Sequence, residues 1–309
     1  MRAILAHKGV CMAGRTSSWK QQLTGIVSLT RHKEYVVFVI VTTLLGARVS
    51  GAEIDWRLLL VLVANWLAVG FSFMINDVED APDDALNPAK VNRNPISAGR
   101  ISPRVGYAAS SVVAALAALA YFFLGPIPFW LGMACLAIGL VYSWRLIRLK
   151  SMPVVDLISH GLLLAGLQFL CGYFTFARNG GGEWIAPFVF VVSVSLYGEL
   201  FNEVRDLEGD LKAGVTHTAA LIGERAAHVL MYALLAGAGV SFVYSIAAGL
   251  IPLWVLAVMF ALGAVILARP ILRMKRGSAM DLTGPLHEPI QVVGALTMIA
   301  WVIGGFFGL

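Results

Sequence analysis

Charge is what this sequence has least of. Lys, Arg, Asp and Glu make up 13% of its 309 residues, against about 25% in a soluble globular domain. The hydrophobic fraction is 59% and the mean hydropathy +0.79. So little charge over so long a chain excludes an ordinary soluble domain and points to the lipid bilayer as solvent. Cysteine is scarce as well. Cys11, Cys135 and Cys171 are odd in number and far apart, which suggests neither a disulfide framework nor a thiolate metal site. Residues 1–33 are polar and basic, with no apolar run before a small-residue cleavage site, so no secretory signal peptide is expected. Residues 1–30 read as a flexible cytoplasmic segment and 31–309 as one transmembrane domain.

Apolar sequence fills the rest. A membrane helix needs about 20 mostly apolar residues. Nine segments fit: 34–50, 57–75, 104–124, 127–146, 154–177, 184–202, 225–248, 251–269 and 287–308. Gly249–Pro252 leaves room only for a tight turn between the seventh and the eighth. Nine spans divide the loops between two sides, and Lys and Arg mark the cytoplasmic one. Of the 23 basic residues, 20 fall on the side of the N-terminus, and only Arg48, Arg57 and Arg178 fall opposite. The N-terminus is therefore expected in the cytoplasm. The pI near 9.2 reflects that face and not nucleic-acid binding.

The acidic residues are gathered too. Ten of the 18 lie in two windows, 77–84 and 199–210. The first reads NDVEDAPDD from Asn76, the second NEVRDLEGD from Asn202. Asp77 matches Glu203, Asp80 matches Asp206 and Asp84 matches Asp210, always at an offset of 126. Both windows end an outside-to-inside span. The match implies an internal repeat, two four-helix halves plus one helix. Positions i, i+3 and i+7 share one helical face, so each window presents a row of carboxylates. Pro82 is expected to kink or unwind the end of the first row. Either window alone also fits a solvated helix end. Two in register point to six carboxylates and two amides, from Asn76 and Asn202, converging below the membrane surface. Such a cluster repels itself without cations, and hard oxygen ligands select Mg²⁺ or Ca²⁺. The neighbouring loops carry Lys90, Arg93, Arg100, Arg148, Lys150, Arg205 and Lys212, which suit a diphosphate or simply set topology.

These residues resemble the UbiA superfamily of intramembrane prenyltransferases over about residues 30–305. Asn76, Asp77, Asp80 and Asp84 match the first family signature, and NPISAGRIS at 94–102 matches the segment that follows it. Asn202 to Gly214, with Asp206 and Asp210, resembles the second signature. Tyr142, Ser143, Arg148, Leu149 and Lys150 resemble a further family segment. There are departures: Glu203 stands for Asp, Asn94 stands for Arg, and 143–147 lacks the usual prolines. The resemblance implies an all-α fold of nine helices around a central cavity open to lipid. It implies Mg²⁺ held by Asn76, Asp77, Asp80, Asp84, Asn202, Glu203, Asp206 and Asp210. Diphosphate contacts would come from Lys90, Arg93, Arg100, Arg148, Lys150 and Lys212, and Tyr142 and Lys150 join Asp77, Asp80, Asp206 and Asp210 as catalytic candidates.

The implied activity is Mg²⁺-dependent transfer of an isoprenyl chain from a donor such as geranylgeranyl diphosphate to a hydrophobic acceptor. The acceptor class stays open between an aromatic quinone precursor, a lipid and a polyene. Asp156 and His160, at i and i+4 in the fifth span, are candidates to bind the acceptor or take its proton. Phe71, Phe73, Tyr142, Phe169, Tyr173 and Tyr197 are candidates to line the chamber, or to pack. Two other readings are kept: a terpene cyclase acting on the diphosphate alone, and a transporter, whose charges would sit nearer mid-membrane.

Overall fold

Apolar residues in long runs leave the backbone no partner in lipid but itself, and helices satisfy it. The structure, a computed structural model, describes residues 19–88, 90–177, 181–213, 216–273 and 286–307, and these are all-helical. The helices are α1 (Trp19–Leu29), α2 (Val36–Val49), α3 (Arg57–Asp84), α4 (Pro103–Phe122) and α5 (Pro126–Ser143). Next comes α6 (Val155–Gly161), which runs through a π-helical turn, Leu162–Gly166, into α7 (Leu167–Phe176). Then follow α8 (Ile185–Ala213), α9 (Thr218–Ile222), α10 (Glu224–Ala247), α11 (Leu253–Ile266), α12 (Ala268–Arg273) and α13 (His287–Phe306).

Seven of these units are long and apolar enough to cross a membrane: α3, α4, α5, the α6–α7 unit, α8, α10 and α13. The segments expected at 34–50 and 251–269 are represented by α2 and α11, of 14 residues each. At 1.5 Å per residue each spans about 21 Å, short of a hydrocarbon core of about 30 Å. A second difference lies at the start. The flexible segment expected over 1–30 contains α1, whose Gly25 and Leu29 are buried.

Local chemistry explains the helix ends. Ser102 accepts from the Val105 amide at 3.3 Å and Pro103 takes the first helical position, so α4 starts there. Gly249, at φ +73°, makes the tight turn between α10 and α11 that the sequence requires. Pro82 does not unwind α3, which runs unbroken to Asp84. Side chains from elsewhere occupy carbonyls near its end. Asn94 donates to the Asp77 carbonyl at 2.7 Å, Arg145 to Glu79 at 2.8 Å and Ser97 to Ala81 at 2.8 Å.

Inside, packing is close. A Cβ on Gly46 would lie 2.1 Å from the Phe169 carbonyl oxygen, and one on Gly172 would lie 2.4 Å from that of Thr43. Helices α2 and α7 therefore cross backbone to backbone, as small residues allow in membranes. Beside this crossing lies a buried polar hub. Asn65 donates to Thr43 Oγ1 at 2.7 Å and to the Gln168 carbonyl at 3.0 Å, and accepts from Tyr121 Oη at 2.7 Å. One amide thus ties α3 to α2, α4 and α7. Large apolar side chains such as Leu116, Leu119, Trp130 and Val240 cover the outside, as a lipid-facing surface requires.

Replacing Asn65 with Ala strands Tyr121 Oη and Thr43 Oγ1 in apolar surroundings. Thermal denaturation in detergent is expected to show Asn65→Ala less stable by about 2 kcal/mol. An unchanged midpoint would remove the hub from the account.

Candidate active site

The first acidic row occupies the last two turns of α3, and the segment after α5 wraps around it. Lys150 Nζ donates to Asp80 Oδ2 at 2.5 Å and to Asn76 Oδ1 at 3.0 Å. Arg148 Nη2 reaches Asp80 Oδ1 at 3.3 Å and Asp83 Oδ2 at 3.4 Å. Arg145 pairs with Asp83 at 3.1 Å. Glu79 locks this segment in place, accepting from the Arg145 amide at 3.2 Å and from Tyr107 Oη at 2.8 Å. Arg148 itself sits at φ 52°, ψ 59°, a left-handed conformation that non-glycine residues rarely adopt. Burial pushes the Lys150 ammonium below the ordinary lysine range, and the Asp80 carboxylate beside it pulls the other way. The charge on Lys150 is thus held by its anionic neighbour.

The segment at 90–100 takes a different part. Asn94, where the family resemblance led to Arg, is buried and donates to Asp84 Oδ2 at 2.9 Å as well as to the Asp77 carbonyl. Its own oxygen accepts from the Ile96 amide at 3.0 Å. Asn94 is a splice between loop and helix. Arg93 reaches Glu34 at 3.4 Å, and Arg100 donates to the carbonyls of Asn92 and Arg93 at 3.2 and 3.3 Å. These two guanidiniums, expected at the diphosphate, brace the loop. Lys90 is exposed and, with His217, lies within electrostatic range of Asp206.

Arg31, one of the basic residues on the N-terminal side, reaches the first row. Its guanidinium donates to Asp77 Oδ1 at 3.2 Å, pairs with Glu34 and lies 4.8 Å above the Phe73 ring. The contact joins residues 46 positions apart, which no local pattern reports.

The second row, at the end of α8, is engaged differently. Asp206 forms a two-pronged pair with Arg205, both contacts at 3.0 Å. Glu203 is turned inward, accepting from the Ala219 amide at 2.8 Å and lying 3.2 Å from His217 Nδ1. Glu203 thereby supports the start of α9. The side chains of Asp210 and Lys212 lie outside the described residues. Asn202 is half-buried on α8.

Consecutive residues at the end of α5 tie the two helices together. Ser143 Oγ donates to Asn76 Oδ1 at 3.0 Å, and Tyr142 Oη donates to Glu199 Oε1 at 3.2 Å. Asn76 opens the first row and Glu199 stands one helical turn before Asn202. The arrangement gives the two rows a shared wall.

Asp156, a candidate for the acceptor, is tied into the scaffold. It is 1% exposed. One oxygen accepts from the Leu157 amide at 2.7 Å and from Thr218 Oγ1, the other from the Thr218 amide at 2.7 Å. Thr218 also accepts from the Val154 amide at 2.6 Å, fixing Val154 at φ 73°, ψ −45°, an outlier for a β-branched residue. Asp156 therefore joins α6 to α9. His160 instead meets Glu199, Nδ1 to Oε2, at 3.3 Å. Of the aromatic candidates, Phe71, Phe169 and Tyr173 are buried in the core, and Phe73 stacks on Tyr35 at 4.8 Å. Tyr197 is buried against Phe201. Tyr142 alone among the six forms a described hydrogen bond to a residue beside the acidic rows.

Whether these residues suit a divalent ion can be judged from one atom. Asp77 Oδ2 is buried with no hydrogen-bond partner, a costly state for a carboxylate oxygen. It lies one turn from Asp80 and next to Asn76, so hard oxygens are grouped where a cation is wanted. Among the described residues, no three carboxylate, imidazole or thiol groups form a ready-made metal cage. Lys and Arg occupy the carboxylates instead. The donor set fits Mg²⁺ completed by a substrate's phosphate oxygens.

Comparison with known proteins bears on the same region. The model of the UbiA prenyltransferase family matches residues 36–282. Digeranylgeranylglyceryl phosphate synthase of Methanothermobacter thermautotrophicus is 29% identical over 273 residues, covering 87% of this chain and 92% of that protein. Lycopene elongase/hydratase of Haloarcula japonica is 33% identical over 163 residues, 50% of each chain. A UbiA homolog from Archaeoglobus fulgidus, solved with GPP and Mg²⁺, superposes with a TM-score of 0.69 at 22% identity, covering 91% of this chain and 98% of that one.

Asp156→Ala leaves three buried donors without an acceptor. The variant is expected to lose about 3 kcal/mol of stability in detergent while the KM for any acceptor stays within about twofold. A normal melting curve with a raised acceptor KM would return Asp156 to acceptor binding.

Proposed function

The chain belongs to the UbiA prenyltransferase family, and from that premise we propose that it transfers an isoprenyl chain from a polyprenyl diphosphate to a hydrophobic acceptor inside the membrane. It is a multi-pass membrane prenyltransferase. The observation that carries the finer reading is the Asn76–Asp80–Lys150–Arg148 network beside the unpartnered Asp77 oxygen, joined through Ser143 and Tyr142 to α8.

Each residue has a part in this proposal. Asn76, Asp77, Asp80 and Asp84 on α3, with Asn202, Asp206 and Asp210 on α8, hold Mg²⁺. The ion, when bound, supplies charge neutralisation to the departing diphosphate. Lys150 and Arg148 donate to diphosphate oxygens, and Lys90 and Lys212 attract them from the rim. Arg31 is added to this set, since it already reaches Asp77. Glu203 is left out because its carboxylate supports α9. Apolar walls keep water from an allylic cation until the acceptor attacks. The nine-span arrangement around a lipid-open cavity, with two related halves and a cytoplasmic N-terminus and site opening, belongs to the same proposal. The named synthases and the GPP- and Mg²⁺-bound neighbour support the choice of donor and ion.

The test uses purified protein, Mg²⁺ and labelled geranylgeranyl diphosphate, with geranylgeranylglyceryl phosphate or lycopene as acceptor. Diphosphate release with a prenylated acceptor is expected, and EDTA is expected to stop it. Asp80→Ala and Asp206→Ala are expected to lower kcat/KM by about 10³-fold or more while the protein stays monodisperse in detergent. A terpene formed from donor alone would replace transfer with cyclisation. Solute flux with no diphosphate release would point to transport.

A further inference from the structure

One cluster near the acidic rows centres on a carboxylate, Glu199, to which the proposal above gives no part. Glu199 of α8 accepts from Tyr142 Oη of α5 at 3.2 Å and lies 3.3 Å from His160 Nδ1 of α6. The Tyr142 and His160 rings are 6.5 Å apart. Three helices thus converge on one carboxylate. The cluster stands one turn inward of Asn202, and Tyr142 adjoins the Ser143 that holds Asn76. A prenyl diphosphate gripped at the rows would extend its carbon chain inward past this point.

Glu199 differs from the acids around it. Asp77, Asp80, Asp83 and Asp206 are each paired with Arg or Lys. Glu203 and Asp156 are buried against backbone amides. Glu199 meets a phenol and an imidazole, no described Lys or Arg pairs with it, and the carboxylate of Glu203 lies within electrostatic range. Its side chain keeps 17% exposure and that of His160 21%, so both remain reachable. A carboxylate oriented by two side chains from neighbouring helices and open to a ligand is the arrangement expected of a proton acceptor.

We propose that Glu199 takes the proton of a hydroxyl on the acceptor. The inference rests on the prenyl-transfer reading above. The C1–O bond to diphosphate breaks first, and the acceptor oxygen then bonds to C1 of the allylic cation. The electron pair of the broken bond leaves with the diphosphate, and the hydroxyl proton passes to Glu199. His160 and Tyr142 are positioning residues that hold the carboxylate toward the substrate.

The experiment compares wild type with Glu199→Gln and His160→Asn, using geranylgeranyl diphosphate with geranylgeranylglyceryl phosphate, or with lycopene, as acceptor. In the wild type, ether formation with the alcohol is expected, with a solvent deuterium isotope effect on single-turnover transfer. Glu199→Gln is expected to lower kcat by about 10²-fold or more, with donor affinity, measured by direct binding, within about twofold. His160→Asn is expected to lower kcat by about tenfold, with the KM for donor unchanged and the isotope effect altered. Transfer by Glu199→Gln within threefold of wild type would overturn the proposal. So would parallel loss of donor binding, which would make Glu199 part of the scaffold. Wild-type transfer to lycopene but not to the alcohol would also overturn it, while leaving prenyl transfer intact. Absence of diphosphate release with every acceptor would instead remove the underlying reading.

Discussion

Five carboxylates on eight consecutive positions cannot sit beside a hydrocarbon slab without compensation. Meeting that constraint shapes the whole face of this protein. The repulsion within Asp77–Asp84 is balanced by cations from separate stretches of chain: Arg31 before α2, and Arg145, Arg148 and Lys150 after α5. Asn94 adds amide hydrogens from a third stretch. The ion pairs also arrange the loops. Each basic side chain that reaches the acidic end of α3 brings its segment with it, and Arg145 also donates to a helix carbonyl. The face is ordered by electrostatics where the rest of the molecule is ordered by packing.

That division explains what could be read from residues alone. Apolar runs are a direct record of lipid exposure, so the all-helical, multi-pass character was plain, as were the acidic rows and their 126-residue offset. Register says nothing about which way a side chain turns, and the Ala219 amide donates to Glu203 across 16 positions of sequence. Arg31 and Arg93 were indistinguishable as basic residues in basic loops. One reaches Asp77 and the other Glu34, and only the folded path separates them. Asp156 and His160, four residues apart on one helix, looked like a pair. Thr218, 62 positions further on, takes the first, and Glu199 takes the second.

The π-helical turn between α6 and α7 belongs to the same picture. Its Leu163 carbonyl accepts from Gln168 Nε2 at 3.0 Å, five residues on. The widened turn hands a backbone acceptor to a side chain, and such irregularities gather near functional regions. Here the same unit carries His160 at one end and the Gly172 crossing at the other. A rigid crossing on one side and a hydrogen-bonded imidazole on the other hold one continuous element between them.

The two short helices have a consequence for the surrounding lipid. Both α2 and α11 pack against α13, so the 14-residue elements share one flank. Arg48, in the last turn of α2, lies over the Trp301 ring at 5.5 Å and marks where hydrocarbon ends on that side. Stretches of about 21 Å in a slab of about 30 Å create hydrophobic mismatch. Mismatch of this kind is relieved by local thinning or by a snorkelling side chain such as Arg48, and either sets this flank apart from the longer helices.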